Sequence, residues 1–182
     1  MSAPRAVFFD RDGVLNRAIV RDGKPYPPPS VAELEIVEEA AGGLARLKDA
    51  GFLLFVVTNQ PDVARGTQTL DAIEAMHDAM RHELPLDEFL VCPHDDQDAC
   101  QCRKPAPGLV LAAQQRYGID LTRSFLVGDR WRDVDAGRAA GCRTVFLDRQ
   151  YRERGPSVPP DARVGSLAEA IDWIMRNSGT GQ

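Results

Sequence analysis

The sequence predicts an α/β fold in which a mostly parallel central sheet is flanked by helices. Three observations predict it. Short apolar runs rich in β-branched residues alternate with segments of helical period. The helical segments run to about 10–15 residues, the length that carries a chain from one parallel strand to the next. Acidic, hydroxylated or thiol residues follow the apolar runs directly, at the strand ends where such sheets hold their ligands.

The elements follow in order. "RAVFFD" (5–10) is a short buried strand and "EEAAGGLARLKDAG" (38–51) a helix stopped by Gly51. "FLLFVVTN" (52–59) is apolar throughout, as a strand covered on both faces must be. "TLDAIEAMHDAMRHEL" (69–84) places Leu70, Ile73, Met76 and Met80 on one helical face, leaving His77 and His82 as surface residues. "EFLVC" (88–92) is a strand and "APGLVLAAQQRYG" (106–118) a helix. "SFLVGD" (124–129), "WRDVDAGRAAG" (131–141) and "RTVFLD" (143–148) form a strand–helix–strand unit. "SLAEAIDWIMRN" (166–177) is a last helix, opened by a Ser166/Glu169 capping box, with Leu167, Ile171, Ile174 and Met175 as its apolar stripe. The whole is Rossmann-like. Residues 16–35 are too rich in proline and glycine for a regular element, and 149–163 read as a polar loop. The tail after 177 is expected to be disordered.

The 182 residues suit a single domain, 1–182, which at this size buries roughly 70% of its unfolded surface without a covalent staple. A net charge of −5 gives no footing for nucleic-acid binding, while leaving room for a small anion held by local cations. No apolar run approaches the ~18 residues of a membrane span, and "MSAPRAVFFD" is no signal peptide. The expectation is a cytoplasmic protein, in which clustered cysteines are metal ligands more often than disulfides.

The chemistry gathers at the strand ends. Asp10 and Asp12 flank Arg11, and Gly13 lets the backbone turn away after them. Alone, such a pair is most simply a solvated acidic turn. Asp129 ends another strand, however, and Asp133 lies one helical turn beyond it. Carboxylates converging on one sheet edge make a hard-cation site suited to Mg²⁺. Thr58 adds a hydroxyl and an N–H, and Lys104 a fixed charge. A carboxylate nucleophile, a metal, a hydroxyl and a lysine together suit phosphoryl transfer.

"FFDRDGVLN", "VVTNQ", "CRKPAPG" and "LVGDRWRD" resemble, in order and spacing, the four motifs of the haloacid dehalogenase-like (HAD) phosphatases. The resemblance runs from about Arg5 to Asp148. With the cysteine loop it narrows to the capless histidinol-phosphate and heptose-bisphosphate phosphatases. "CRKPAPG" and "ARG" (64–66) look more like the heptose-bisphosphate branch. The resemblance implies that Asp10 is a nucleophile forming an aspartyl-phosphate. It implies that Asp12 is the general acid/base and that Thr58 and Lys104 bind the transferring phosphoryl group. Mg²⁺ would be held by the Asp10 and Asp129 carboxylates and the Asp12 carbonyl. Asn59, Gln60, Arg103 and Arg130 would meet the substrate, a phosphorylated small molecule such as a sugar bisphosphate. Asp133 would either support the metal-binding carboxylates from behind, the preferred reading, or serve simply as an N-terminal helix acid favoured by the dipole. The sequence departs from the pattern at Pro61-Asp62, where the family carries Ser-Gly, and in the loop at 16–35. No cap domain fits between the motifs, so the site should be open and reached by loops 16–35, 60–66 and 92–104. A capless chain is compatible with a monomer. The alternatives are a histidinol-phosphate phosphatase and, in another class, a non-enzymatic zinc-stabilised binding module.

"CPHDDQDACQCRKP" (92–105) spaces Cys92, His94, Cys100 and Cys102 as C-x-H-x5-C-x-C. Three sulfurs and an imidazole are a recognised structural zinc set with no open position. A disulfide between Cys100 and Cys102 would be too short to close comfortably. Zn²⁺ here would fix the chain just before Arg103 and Lys104. Cys142 is expected to be a small buried residue.

Overall fold

The computed structural model describes residues 2–179. Of the tail expected to be disordered, 180–182 lie outside the described residues. Ser178 is ordered, its carbonyl accepting from Arg5 Nη1 at 2.8 Å.

The first strand, β1 (Arg5–Phe9), is buried along almost its whole length. Residues 16–35 are not irregular throughout, for β2 (Ile19–Arg21) and β3 (Lys24–Tyr26) pair as an antiparallel hairpin. Its turn is Asp22-Gly23, both at positive φ (51° and 76°), the conformation an Asp-Gly pair favours in a two-residue hairpin loop. Pro25 does not prevent pairing, because a two-stranded ribbon consists of edges. The chain continues through α1 (Ala40–Asp49), β4 (Phe52–Asn59), α2 (Leu70–Glu83), β5 (Glu88–Cys92), α3 (Gly108–Tyr117), β6 (Phe125–Gly128), α4 (Trp131–Ala140) and β7 (Arg143–Leu147). A second correction is β8 (Ala162–Val164), a three-residue edge strand parallel to β7 inside what reads as the end of a polar loop. The last element is α5 (Leu167–Asn177). Its cap is half a box: Ser166 Oγ accepts from Glu169 N at 3.2 Å, but the Glu169 carboxylate reaches Gly165 N.

Six strands form one parallel sheet in the order β5-β4-β1-β6-β7-β8. Alternate side chains of β1 serve opposite faces. Val7 and Phe9 pack with Leu44, Leu47, Ile171 and Ile174 of α1 and α5, while Ala6 and Phe8 pack toward Leu109, Val110 and Ala113 of α3. Both faces are covered, which is why the strands read as unbroken apolar runs. The chain moves from β1 to one side through β4 and β5, then crosses to β6 on the other. Strand order therefore reverses beside β1, and a crevice opens at its carboxyl end. Between β1 and α1 the described residues hold a hairpin and one 3-10 turn (Val31–Glu33), and between β4 and α2 a loop, with no cap domain. No helix among the described residues is long and apolar enough to cross a membrane.

On α2, Ile73, Met76 and Met80 are buried as the periodicity requires, but Leu70 is 54% exposed. The surface position expected for His77 is wrong. His77 is fully buried and stacked on Phe89 of β5, with centroids 4.4 Å apart. His82 is exposed.

Candidate active site

The crevice is built from the residues that end β1, β4 and β6. Asp10, Asp129 and Asp133 each place a carboxylate oxygen within 4.8 Å of the others. All three are buried. Three carboxylates cannot share a dry site without positive charge. Lys104, only 3% exposed, supplies it. Its Nζ donates to Asp10 Oδ1 at 2.8 Å and to Val57 O at 2.7 Å, and pairs with Asp133 Oδ1 at 2.6 Å. All three ammonium donors are thereby used. Burial alone would lower the lysine's pKa, but Asp10 and Asp133 more than reverse that and raise it. Asp10 is itself pushed up to about 6 by burial and by the Asp133 charge, against the pull of Lys104.

Asp133 also accepts from Arg130 N at 3.0 Å and so caps the helix that carries it. The two roles considered for it, support of the site and N-terminal helix acid, are both present. Gly128 makes room for this arrangement, because a β-carbon there would lie 2.3 Å from Asp133 Cγ.

Asp129 is different. Neither of its buried oxygens meets a donor in good hydrogen-bond geometry, although the Tyr151 hydroxyl lies beside them. Burial, then Asp10 and Asp133, raise its pKa well above the usual carboxylate range. Gly13, at φ +88°, is required here: a β-carbon would fall 1.9 Å from Asp129 Oδ2. Buried carboxylate oxygens left without donors fit a divalent cation held with Asp10.

Asp12 turns away from this trio. Arg11 Nε donates to Asp12 Oδ1 at 3.1 Å and Arg11 Nη2 to Oδ2 at 3.1 Å. Asn16 Nδ2 reaches Oδ1 at 3.0 Å, and Gln60 Nε2 reaches Oδ2 at 2.9 Å. The carboxylate is held by four donors at the crevice wall. Gln60 Nε2 also donates to Thr58 Oγ1 at 2.9 Å, leaving the Thr58 hydroxyl proton free for another acceptor. Asn59 Nδ2 donates to Lys104 O and its Oδ1 accepts from Lys104 N, both at 3.0 Å. Asn59 thus clamps the lysine's backbone to the end of β4.

Cys92, His94, Cys100 and Cys102 converge as their spacing suggests. The Sγ–Sγ separations are 2.9 Å (Cys92–Cys102), 3.5 Å (Cys100–Cys102) and 3.6 Å (Cys92–Cys100). His94 Nδ1 lies 3.2 Å from Cys102 Sγ and 3.5 Å from Cys92 Sγ. Ligands arranged tetrahedrally about zinc at its usual bond lengths stand about 3.5–3.8 Å apart. All four cysteines of the chain are free thiols, and Cys142 is buried apart from the cluster. The residues fit zinc.

A cavity of about 290 Å³ opens over the carboxylates, walled by Pro25 and Tyr26 of the hairpin, Pro61, Asp62 and Arg65 after β4, and Asp96 and Arg103 of the cysteine loop. The cations at its mouth are paired. Arg65 meets Asp95 and Asp62, and Arg103 and Arg132 share Asp96. Arg130 pairs with Glu153. Sequence reasoning missed Arg132, Tyr151 and the Arg11–His77 pair. Arg132, two residues from Arg130, carried a weak signal; Tyr151, in an irregular loop, carried none.

A HAD-hydrolase-like family model matches residues 101–170. The D-glycero-beta-D-manno-heptose-1,7-bisphosphate 7-phosphatase of Pseudomonas aeruginosa is 36% identical over 147 residues, covering 78% of this chain and 79% of its own. The enzyme of the same name from Escherichia coli K12 is 33% identical over 184 residues, covering 94% and 88%. Among solved structures, the D,D-heptose 1,7-bisphosphate phosphatase of B. bronchiseptica, complexed with magnesium and phosphate, matches with a TM-score of 0.82 at 28% identity over 95% of this chain and 99% of that one.

Proposed function

From the premise that this chain belongs to the D-glycero-D-manno-heptose-1,7-bisphosphate 7-phosphatase family of HAD-like phosphatases, we propose that it removes the 7-phosphate of a heptose 1,7-bisphosphate through an aspartyl-phosphate on Asp10. The observation that carries this reading is the buried Asp10 carboxylate at the carboxyl end of β1, held by Lys104 and faced by the donor-poor Asp129.

The carboxylates of Asp10 and Asp129 and the carbonyl of Asp12 would hold Mg²⁺. When bound, Mg²⁺ supplies the positive charge that screens a phosphate dianion from an attacking carboxylate. The chain's own groups do the rest. An Asp10 oxygen attacks phosphorus and the ester P–O bond breaks. Asp12 gives its proton to the departing alkoxide, which leaves as the alcohol. Asp12, now a carboxylate, takes a proton from water, and that water opens the aspartyl-phosphate to inorganic phosphate and free Asp10. The free Thr58 hydroxyl proton and the Thr58 N–H hold phosphoryl oxygens, and the Lys104 ammonium, its donors spent on Asp10, Asp133 and Val57, attracts them by its charge. Asn59 and Gln60 set Lys104, Thr58 and Asp12 in place, while Arg103 and Arg130 stand at the mouth, where the rest of the substrate lies.

The test is kcat/KM, with and without Mg²⁺, over both anomers of the heptose bisphosphate, histidinol phosphate and other sugar phosphates. Preference for a heptose bisphosphate, lost in excess chelator, is expected. Preference for histidinol phosphate would move the substrate to the other branch. Hydrolysis of none of them would leave a binding module.

Cys92, His94, Cys100 and Cys102 would hold Zn²⁺ as a structural ion. Cys92 ends β5 and Cys102 abuts Arg103, so the ion ties the sheet to the chain that delivers Lys104. Cys102→Ser is expected to lower zinc content below one per chain, weaken binding of inorganic phosphate about tenfold and leave Mg²⁺ affinity nearly unchanged. Metal analysis and calorimetry check it; full phosphate affinity in a zinc-free protein would refute the structural role.

A further inference from the structure

His77 and Arg11 form a buried pair that the reaction just described does not use. Both side chains are fully buried, an unusual state for a guanidinium. Arg11 spends Nε and Nη2 on Asp12 and turns Nη1 toward His77 Nε2 at 3.2 Å. Arginine has donors only, so the imidazole must accept at Nε2. The ring is therefore neutral, with its proton on Nδ1, which faces Glu74 Oε2 at 3.5 Å without making a hydrogen bond. Burial, and then the Arg11 charge, lower its pKa to about 4, so the acceptor form persists at neutral pH. Stacking on Phe89 fixes the ring plane, and α2 fixes its height above the sheet.

We propose that His77 is a positioning residue for phosphoryl transfer: by accepting from Arg11 Nη1 it locks the Arg11 fork and so aims the Asp12 carboxyl at the leaving oxygen. The inference rests on Asp12 being the general acid. Arginine is long and loses much rotamer freedom when fixed. Asp12 is adjacent in sequence, so it cannot by itself decide where the guanidinium lies. Among the described residues, the one contact from outside the Asp10–Asp12 turn that sets the far nitrogen of Arg11 comes from α2. An ordinary core histidine would need only its stacking face, and a leucine could replace that.

The experiment uses leaving groups. A sugar alkoxide needs a proton as it departs, whereas p-nitrophenolate does not. kcat/KM reports the steps through the first irreversible bond cleavage and so isolates this proton from the later attack of water. His77→Leu is expected to lower kcat/KM on the heptose bisphosphate about tenfold while changing that on p-nitrophenyl phosphate less than about twofold. His77→Gln, whose amide oxygen can accept from Arg11, should recover most of the loss. Equal losses on both substrates, no loss on either, or a glutamine variant no better than leucine would overturn the role. Should His77→Leu not fold, Arg11→Lys carries the test: it keeps the charge, cannot reach Asp12 and His77 together, and must show the same selective loss. Asp12→Asn separates the two levels. If it loses the sugar phosphate selectively and His77→Leu does not, the positioning role is wrong. If Asp12→Asn shows no selectivity, the acid–base reading of Asp12 fails, and the inference with it.

Discussion

Asp10→Asn is expected to lower kcat by at least about 10⁴-fold while leaving the fold intact. Asparagine matches aspartate in shape, and its amide oxygen can still accept from Lys104 Nζ and Arg11 N, the donors that hold Asp10 Oδ1 at 2.8 and 2.9 Å. What it lacks is the anionic oxygen that would attack phosphorus in the proposed reaction. Stability should not fall. Burial and Asp133 push the Asp10 pKa up to about 6 from 3.8, so ionising it in the metal-free protein works against folding. A folded-state pKa raised above the unfolded value means the native state binds more protons between the two. Metal-free stability contributed by this group is then highest below about 4 and is lost as pH rises through about 6. Asparagine removes that loss. Metal-free Asp10→Asn should therefore melt at or above the wild-type temperature at pH 7, with a flatter dependence on pH in this window. Turnover within tenfold of wild type would eliminate the covalent mechanism. A large fall in melting temperature would mean that Asp10 serves the fold more than the chemistry.

The positions of these groups were readable because a parallel sheet covered on both faces announces its strands as unbroken apolar runs. The residue after each run then lies at the ligand-binding edge. Asp10, Thr58 and Asp129 needed no more than that. Lys104 follows no strand directly, and its motif neighbours had to place it. The elements that were missed are those where periodicity has too few residues to register: β2, β3 and β8, of three residues each. The Asp22-Gly23 turn was the available signal for the hairpin, obscured by the prolines that follow. His77 is more instructive. It lies four residues after Ile73 and three before Met80, on the same face as the buried stripe. The spacing already placed it inward, and only the polarity of histidine argued for the surface. Leu70 strayed the other way: the first residue of α2, it is exposed. Asp62, which by sequence sets a negative charge near an anionic substrate, is met by Arg65 at 3.3 Å. Arg65 also pairs with Asp95 of the cysteine loop, and pairings between separate loops leave no periodic trace in the chain.

Lys104→Met should be the most damaging single change to stability at the site, and its cost should depend on pH. Methionine fills a similar volume but donates nothing. It strips the ammonium from Asp10, Asp133 and the Val57 carbonyl at once. Removing one partner of a buried ion pair costs about 3–5 kcal/mol, because the remaining charge stays in the dry interior. Here the remainder is three carboxylates within 4.8 Å of one another. Protonation relieves them, so the Asp10 pKa must climb further above its already raised value of about 6. Groups with raised folded-state pKa values hold their protons in the native state, so stability falls as pH rises. The deficit of Lys104→Met against wild type should thus be small at pH 5 and largest near pH 8 in denaturant unfolding without metal. Added Mg²⁺ should recover part of it at pH 8, since a cation at Asp10 and Asp129 offsets the same repulsion. Catalysis should not return with stability. In the proposed reaction the lysine's charge lies beside the phosphoryl oxygens as negative charge develops on them, and loss of such a stabilising group costs about 10²–10³ in kcat. An equal deficit at both pH values would show that the carboxylates do not depend on Lys104 for charge balance. Full activity in the Mg²⁺-stabilised variant would show that the lysine holds the site together without touching the reaction.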